Sequence, residues 1–252
     1  MSSSESRLDG RIALVTGAGG GIGRACVRAL AATGAKVHAV DIDGAAVESV
    51  AAEYGGWAHT TDLADPDAVD ALPAEIDILV NNAGFQHVAP LPEFPPEVFT
   101  RVQQVMVTAP FLLIRKVLPH MYERGHGRIV NVSSVHGLRA SPFKSAYVAA
   151  KHALEGLSKV AALEGAAHGV TSNCVNPGYV DTPLVRDQIR DQAAVHGLPE
   201  SEVVGQVLLQ RAAIKRLIGP DEVADVVRWL AGDHARHVTG VSLPLDGGWT
   251  AA

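Results

Sequence analysis

The sequence predicts an α/β fold: one domain over 1–252, built as a doubly wound parallel sheet with helices on both faces. Three observations predict it. Short β-branched apolar runs alternate along the chain with longer amphipathic stretches. A glycine-rich turn joins the first such run to the stretch after it. Polar residues suited to chemistry cluster just after the ends of the runs, where an open parallel sheet binds its ligands. With 252 residues, 47% of them hydrophobic, the chain can bury one sizeable core.

Arg11 to Thr16 reads as the first strand, running into TGAGGGIGRACVRALAATG. Gly17, Gly21 and Gly23 form a turn that opens a helix, whose apolar positions Ile22, Cys26, Val27 and Leu30 continue to Gly34. Such a turn lets backbone approach a pyrophosphate at a positive helix N-terminus. The second strand, Lys36 to Val40, ends in Asp41, eighteen residues after Gly23. A carboxylate there can accept from both adenosine ribose hydroxyls and repels a 2′-phosphate, so the expected cofactor is NAD rather than NADP. Asp41 also suits a helix cap. Trp57 to Thr61 is a third strand, and Asp62-Leu63 after it can border an adenine. A short helix from Asp65 to Leu72 and a fourth strand from Ile76 to Val80 follow. Asn81-Asn82-Ala83-Gly84 then offers small residues and amides that allow close packing against a cofactor, although Asn81 and Asn82 equally suit a turn.

A long helix is expected from Pro96 to Glu123 and a fifth strand from Arg128 to Val132, ending at Ser133-Ser134. Tyr147 and Lys151 lie four residues apart, on one face of the next helix. A phenol with a pKa near 10 shuttles protons poorly at neutral pH unless a cation stabilises the phenolate, and Lys151 can supply one. Ser134 can hold a substrate oxygen while Tyr147 exchanges its proton. That set suits alcohol and carbonyl interconversion. Thr171 to Val175 is a sixth strand, leading to Asn176-Pro177-Gly178-Tyr179-Val180, a turn able to lie against nicotinamide with Thr182 at its carboxamide. Residues 183–219 read as helical, broken at Gly197-Leu198-Pro199, and suit a substrate lid. Pro220 to Leu230 makes a last helix and Val238 to Leu245 a last strand.

The chain has no apolar run long enough for a membrane span and its start, MSSSESRL, lacks a signal-peptide core, so a cytoplasmic protein is expected. A net charge of −6 with scattered basic residues argues against nucleic acid as a partner. Cys26 and Cys174 read as packing thiols, and the histidines, including His234 and His237, show no metal-ligand spacing.

TGAGGGIG, Asp62-Leu63, NNAG at 81 to 84, Ser134 with YVAAK at 147 to 151, and NPGYVDTP at 176 to 183 resemble the short-chain dehydrogenase/reductase family over nearly the whole chain. The resemblance implies a Rossmann fold and hydride transfer between a nicotinamide and a carbonyl carbon. It implies Tyr147 as general acid/base, Ser134 as donor to the substrate oxygen, and Lys151 as ribose ligand and tyrosine activator. Further cofactor contacts carried over are Ile22, Ala83, Gly84, Pro177, Gly178, Val180 and Thr182. A homotetramer is also implied, with the long helices near 96–123 and 147–166 at one interface.

FQHVAPLPEFP, SSVHGLRASPFKSAYVAAKH, TPLVRDQI and DGGWTA are similar to the bacterial D-3-hydroxybutyrate dehydrogenase branch. This similarity implies a small anionic hydroxy or keto acid substrate, its carboxylate held by Gln86, His136, Lys144 and Gln188, with Trp249 walling the pocket. A cation beside neutral donors is also what such an acid requires. Three departures stand out. Met106 occupies the place of an asparagine that supports a proton-relay water, which predicts slower turnover or a shifted pH optimum. Tyr179 replaces a frequent tryptophan, and 62–77 is short.

Overall fold

Seven parallel strands form one sheet in the order β3-β2-β1-β4-β5-β6-β7. They are β1 (Ile12–Thr16), β2 (Lys36–Asp41), β3 (Trp57–Thr60), β4 (Ile78–Asn81), β5 (Gly127–Val132), β6 (Val170–Pro177) and β7 (Ser242–Leu245). The computed structural model describes residues 7–251 except 184, 187, 188, 191, 192 and 194–196. β1 pairs with both β2 and β4, so the strand order reverses there and opens a crevice beyond the strands' carboxyl ends.

Helices cover both faces, with the short α3 (Pro66–Asp70) between β3 and β4. α1 (Gly21–Ala32) buries Cys26, Val27 and Leu30 against Ala13 and Val15, alongside Val227 and Leu230 of the last helix (Pro220–Ala231). On the other face Leu14, Leu79 and Ile129 meet Leu113 and Val117 of α5 (Ala109–Arg124) and Ala150 of α6 (Ser145–Gly165). Leu14 and Val15 thus point to opposite layers, as the strand period requires.

Four elements differ from the sequence expectations. An unforeseen helix α2 spans Gly44–Tyr54, begun by the Asp43 side chain accepting from Ala46 N at 3.1 Å and ended by Gly55 at φ 71°. The helix expected from Pro96 to Glu123 is divided into α4 (Pro96–Gln103) and α5 by a π turn over Gln104–Thr108. Pro110 is the physical reason: it has no N–H for the Met106 carbonyl, and Ala109 N instead reaches back to Gln104 O. Helix does not continue to Gly219. Beyond Glu200–Val203 and a π turn at Val204–Leu208, the backbone bonds outward, Ala213 N and Ile214 N to Gly247 O and Ile218 N to Tyr179 O. The last strand begins at Ser242 rather than Val238, since Val238 N closes a turn on Ala235 O and Gly240 sits at φ 72°.

Candidate active site

A cleft of about 550 Å³ lies at the reversal point, lined by the β1–α1 turn, the ends of β2, β4, β5 and β6, and the start of α6. Its glycine turn is fixed from behind. Thr16 Oγ1 accepts from Asn82 N (3.0 Å) and Ala83 N (3.1 Å), while Asn82 Nδ2 donates to Thr16 O (2.9 Å) and Gly17 O (3.2 Å). Gly17 stands at φ 65°, and a side chain there would meet Ala83 Cα at 2.9 Å. Gly23 does not line the cleft. A Cβ on it would fall 1.9 Å from Gly17 O, so this glycine lets α1 press against the turn rather than touching a ligand. Gly20 precedes α1 without a side-chain cap, and the first turn holds no acidic residue, which leaves the helix's positive end facing the cleft. Asp41 lines the cleft too, its Oδ2 accepting from Gly19 N (2.8 Å) and Oδ1 from Asp43 N (3.0 Å). These features fit a dinucleotide: backbone donors for phosphates and a carboxylate with further lone pairs for ribose hydroxyls.

The other sequence-expected cofactor positions, Gly21, Ile22, Asp62, Leu63, Ala83, Gly84, Pro177, Gly178, Val180 and Thr182, line the same cleft. Arg101 was not foreseen. It reaches from α4 to Asp62 at 3.0 Å and joins the lining, a pairing between residues 39 apart that no local pattern signals.

Ser134, Tyr147 and Lys151 converge on the cleft floor. Lys151 is buried, and its Nζ donates to Val132 O at 2.6 Å and lies 5.5 Å from the Tyr147 ring centroid. Burial lowers this ammonium to about 8, against the upward pull of Cys174 and Glu155. The expected lowering of the Tyr147 phenol is not found. Desolvation raises it to about 12, opposed by the nearby Ser134 hydroxyl. Ser134 is held by Asn176, whose Nδ2 donates to Ser134 O (2.9 Å) and to the buried Glu155 carboxylate (2.5 Å).

Met106 is 1% exposed within the π turn, and its Sδ would sit 3.3 Å from a Cβ placed on Gly84. Gln103 does not stand in for an amide there, because its Nε2 is taken by Ala146 O at 3.0 Å.

Lys144, Gln86 and His136 line the cleft beside the tyrosine. Lys144 is 7% exposed, and burial lowers its ammonium to about 8. Its Nζ lies 5.5 Å over the Tyr179 ring, and no carboxylate among the described residues pairs with it. Gln86 Nε2 is buried and meets no acceptor among the described residues. His136, expected to help hold the carboxylate, lines the cleft with its Nδ1 3.4 Å from Ser134 Oγ and its Nε2 3.0 Å from Ser141 Oγ. Trp249 is one layer back. It packs at 5.9 Å on His136, beneath the Arg211 guanidinium, and lines a separate cavity of about 90 Å³. Gln188 lies outside the described residues.

The profile of the short-chain dehydrogenase family matches residues 11–193, and the chain belongs to that family of nicotinamide-dependent oxidoreductases. It is 43% identical to a D-beta-hydroxybutyrate dehydrogenase of Rhizobium meliloti (strain 1021), over 96% of this chain and 99% of that one. It is 45% identical to the uncharacterised oxidoreductase YxjF of Bacillus subtilis (strain 168), over 96% and 98%. Among solved structures, an Agrobacterium tumefaciens protein provisionally assigned as a 2-deoxy-D-gluconate 3-dehydrogenase, with NADP bound, superposes with a TM-score of 0.86. It is 33% identical, with 99% of this chain and 100% of that chain covered.

Proposed function

We propose that this oxidoreductase interconverts D-3-hydroxybutyrate and acetoacetate with NAD. The observation that carries the reading is the buried Lys144 ammonium, paired with no described carboxylate and facing the same cleft as Tyr147 and the unsatisfied Gln86 amide. A buried cation without a counter-ion is costly, and a substrate carboxylate supplies the missing charge. Lys144 and Gln86 hold that carboxylate, and Gln188 is assigned to it by the sequence similarity alone. His136 and, behind it, Trp249 close the wall.

The glycine turn and Asp41 would hold NAD, which when bound would supply the hydride acceptor for the alcohol carbon and a positive charge favouring a phenolate nearby. Ser134 donates to the substrate oxygen and orients it. Tyr147 takes the hydroxyl proton in oxidation and returns it in reduction, with Lys151 beside it as the compensating cation. Asp41 disfavours a 2′-phosphate, which supports NAD even though the Agrobacterium neighbour carries NADP.

Two further parts of the reading are structural. Pro183 and Val185 line the cleft, in support of a lid over 183–219. Phe111 on α5 and Val160 and Leu163 on α6 are 48%, 51% and 82% exposed, an apolar surface suited to a homotetramer interface. Leu163→Lys should then reduce the mass seen by light scattering, and an unchanged mass speaks against that interface.

The reading is tested by following NADH formation with D-3-hydroxybutyrate, its L-enantiomer and longer 3-hydroxy acids. Saturable, D-selective turnover supports it, and no turnover with NAD binding intact removes the substrate assignment. The second reading is another hydroxy acid, a sugar derivative or a 3-oxoacyl thioester, favoured by the likeness to a protein assigned to a sugar acid. A thioester has no free carboxylate, so Lys144→Ala would leave its turnover intact.

A further inference from the structure

Phe143 is the only residue other than glycine with a positive φ among the described residues, at 67°. Such a conformation is rare for a bulky side chain, and the ring, 57% exposed, gains little packing in return. Phe143 follows Pro142 in a turn, and a positive φ after proline is the setting in which a type II turn takes glycine or asparagine. The residue therefore carries strain that a glycine would not.

The next residue breaks a second local rule. Lys144 stands at the N-cap of α6 with no side-chain capping bond, where a serine or aspartate would stabilise the helix and where a cation meets its positive end. Two adjacent residues unsuited to their local structure point to a purpose other than folding.

The surroundings show what the conformation achieves. Phe143 O accepts from Ala89 N at 3.1 Å, and one residue on, Lys144 O accepts from Val148 N at 2.9 Å as α6 begins. On the other side of the turn Ser141 Oγ lies 3.0 Å from His136 Nε2. The chain is thus tied before and after the turn. From there the buried Lys144 side chain lines the cleft, its Nζ 5.5 Å from the Tyr179 ring centroid. Ala89 also belongs to the segment that carries Gln86, three residues earlier, whose buried Nε2 meets no acceptor among the described residues. One backbone hydrogen bond therefore joins the segments bearing the two groups assigned to the carboxylate.

We propose that Phe143 is a positioning residue for substrate recognition: its left-handed backbone, held by the bond to Ala89, turns Lys144 into the cleft and sets its spacing from Gln86. This rests on the reading of Lys144 as the partner of a substrate carboxylate. Phe143 is not among the residues lining the cleft, so it acts through Lys144. With φ returned to the common negative region, the chain after Phe143 would leave in another direction, and either the Ala89 bond or the path of Lys144 into the cleft would be lost.

The test uses the full-length protein and separates backbone conformation from the phenyl ring. Phe143→Gly and Phe143→Asn remove the ring but accept a positive φ, whereas the β-branched Phe143→Val resists it. Phe143→Val should raise KM for D-3-hydroxybutyrate on the order of tenfold with kcat little changed, and leave KM for the uncharged methyl ester at the parent value. Phe143→Gly and Phe143→Asn should keep both KM values. Equal rises for acid and ester in Phe143→Val overturn the proposal as a general disturbance of the site. Impairment of Phe143→Gly and Phe143→Asn to the same degree overturns it by placing the effect in the ring.

An NMR titration of lysines labelled at Cε, with Lys144 assigned through Lys144→Arg, needs no substrate. Burial lowers the Lys144 ammonium to about 8, with His136 as a titratable neighbour and the Tyr179 ring beneath it. In Phe143→Val the Lys144 titration should move up toward that of an exposed lysine as the side chain reaches water, and in Phe143→Gly and Phe143→Asn it should stay at the parent value. An unchanged titration in a folded Phe143→Val overturns the proposal. If no hydroxy acid is turned over, the substrate reading fails by itself and the Lys144 titration decides the role of Phe143.

Discussion

The two walls of the cleft are built on opposite principles. On the cofactor wall the protein satisfies its own polar groups: Thr16 and Asn82 lock the glycine turn to β4, and Asp41 accepts from Gly19 and Asp43. On the substrate wall groups are left over among the described residues, with Gln86 Nε2 lacking an acceptor and Lys144 Nζ over the Tyr179 ring. The two buried lysines make the contrast concrete. Burial lowers both ammonium groups to about 8, yet Lys151 is bonded to Val132 O with Glu155 nearby, while Lys144 has no such partner among the described residues. A completed network rigidifies and positions, whereas an incomplete one holds binding capacity for a ligand. The lesson is that the lysine with fewer protein contacts is the better marker of the substrate.

The contrast can be broken at several points. Removing the phenol has the largest expected effect: Tyr147→Phe should lower kcat by about 10²–10⁴-fold with NAD affinity retained in a fluorescence titration. On the cofactor wall, Asp41→Ala removes an acceptor and also loosens the Gly19 turn. It should weaken NAD binding by about 1.5–3 kcal/mol and narrow the gap between the KM values for NAD and NADP. A smaller, graded effect comes from pH. Lys144 carries its charge below about 8, so affinity for an anionic substrate should be full below that point and fall as pH rises through it, read as KM against pH. Lys144→Arg, which stays charged, should flatten that rise.

The cofactor wall was legible in the sequence because its signals are local. The turn glycines, Asp41 and the 81–84 run each sit at the end of one strand, and a strand-then-glycine pattern places them without distant information. The substrate wall was only partly legible. Lys144 lies three residues before Tyr147 and is fixed by the same helix start, but one of the two serine contacts that occupy His136 comes from Ser141 across a loop. Trp249 was expected at the wall and stands behind it, because 209–219 bonds to the C-terminal loop instead of forming helix. Helix α2 was missed although Asp43 and Gly55 mark its ends, since its alanine-rich run carries little periodic contrast. The π turn at Gln104–Thr108 had a signal in Pro110. The rise of Tyr147 to about 12 had none, because burial is a property of the packed molecule and the Tyr147–Lys151 spacing reports only proximity.

The central claim is that Lys144 recognises a carboxylate, and the most direct test compares D-3-hydroxybutyrate with its uncharged methyl ester in the parent and in Lys144→Ala. The account predicts that the variant loses about 1.5–3 kcal/mol in kcat/KM for the acid and almost nothing for the ester. Equal losses for both substrates, or none for the acid, would contradict it.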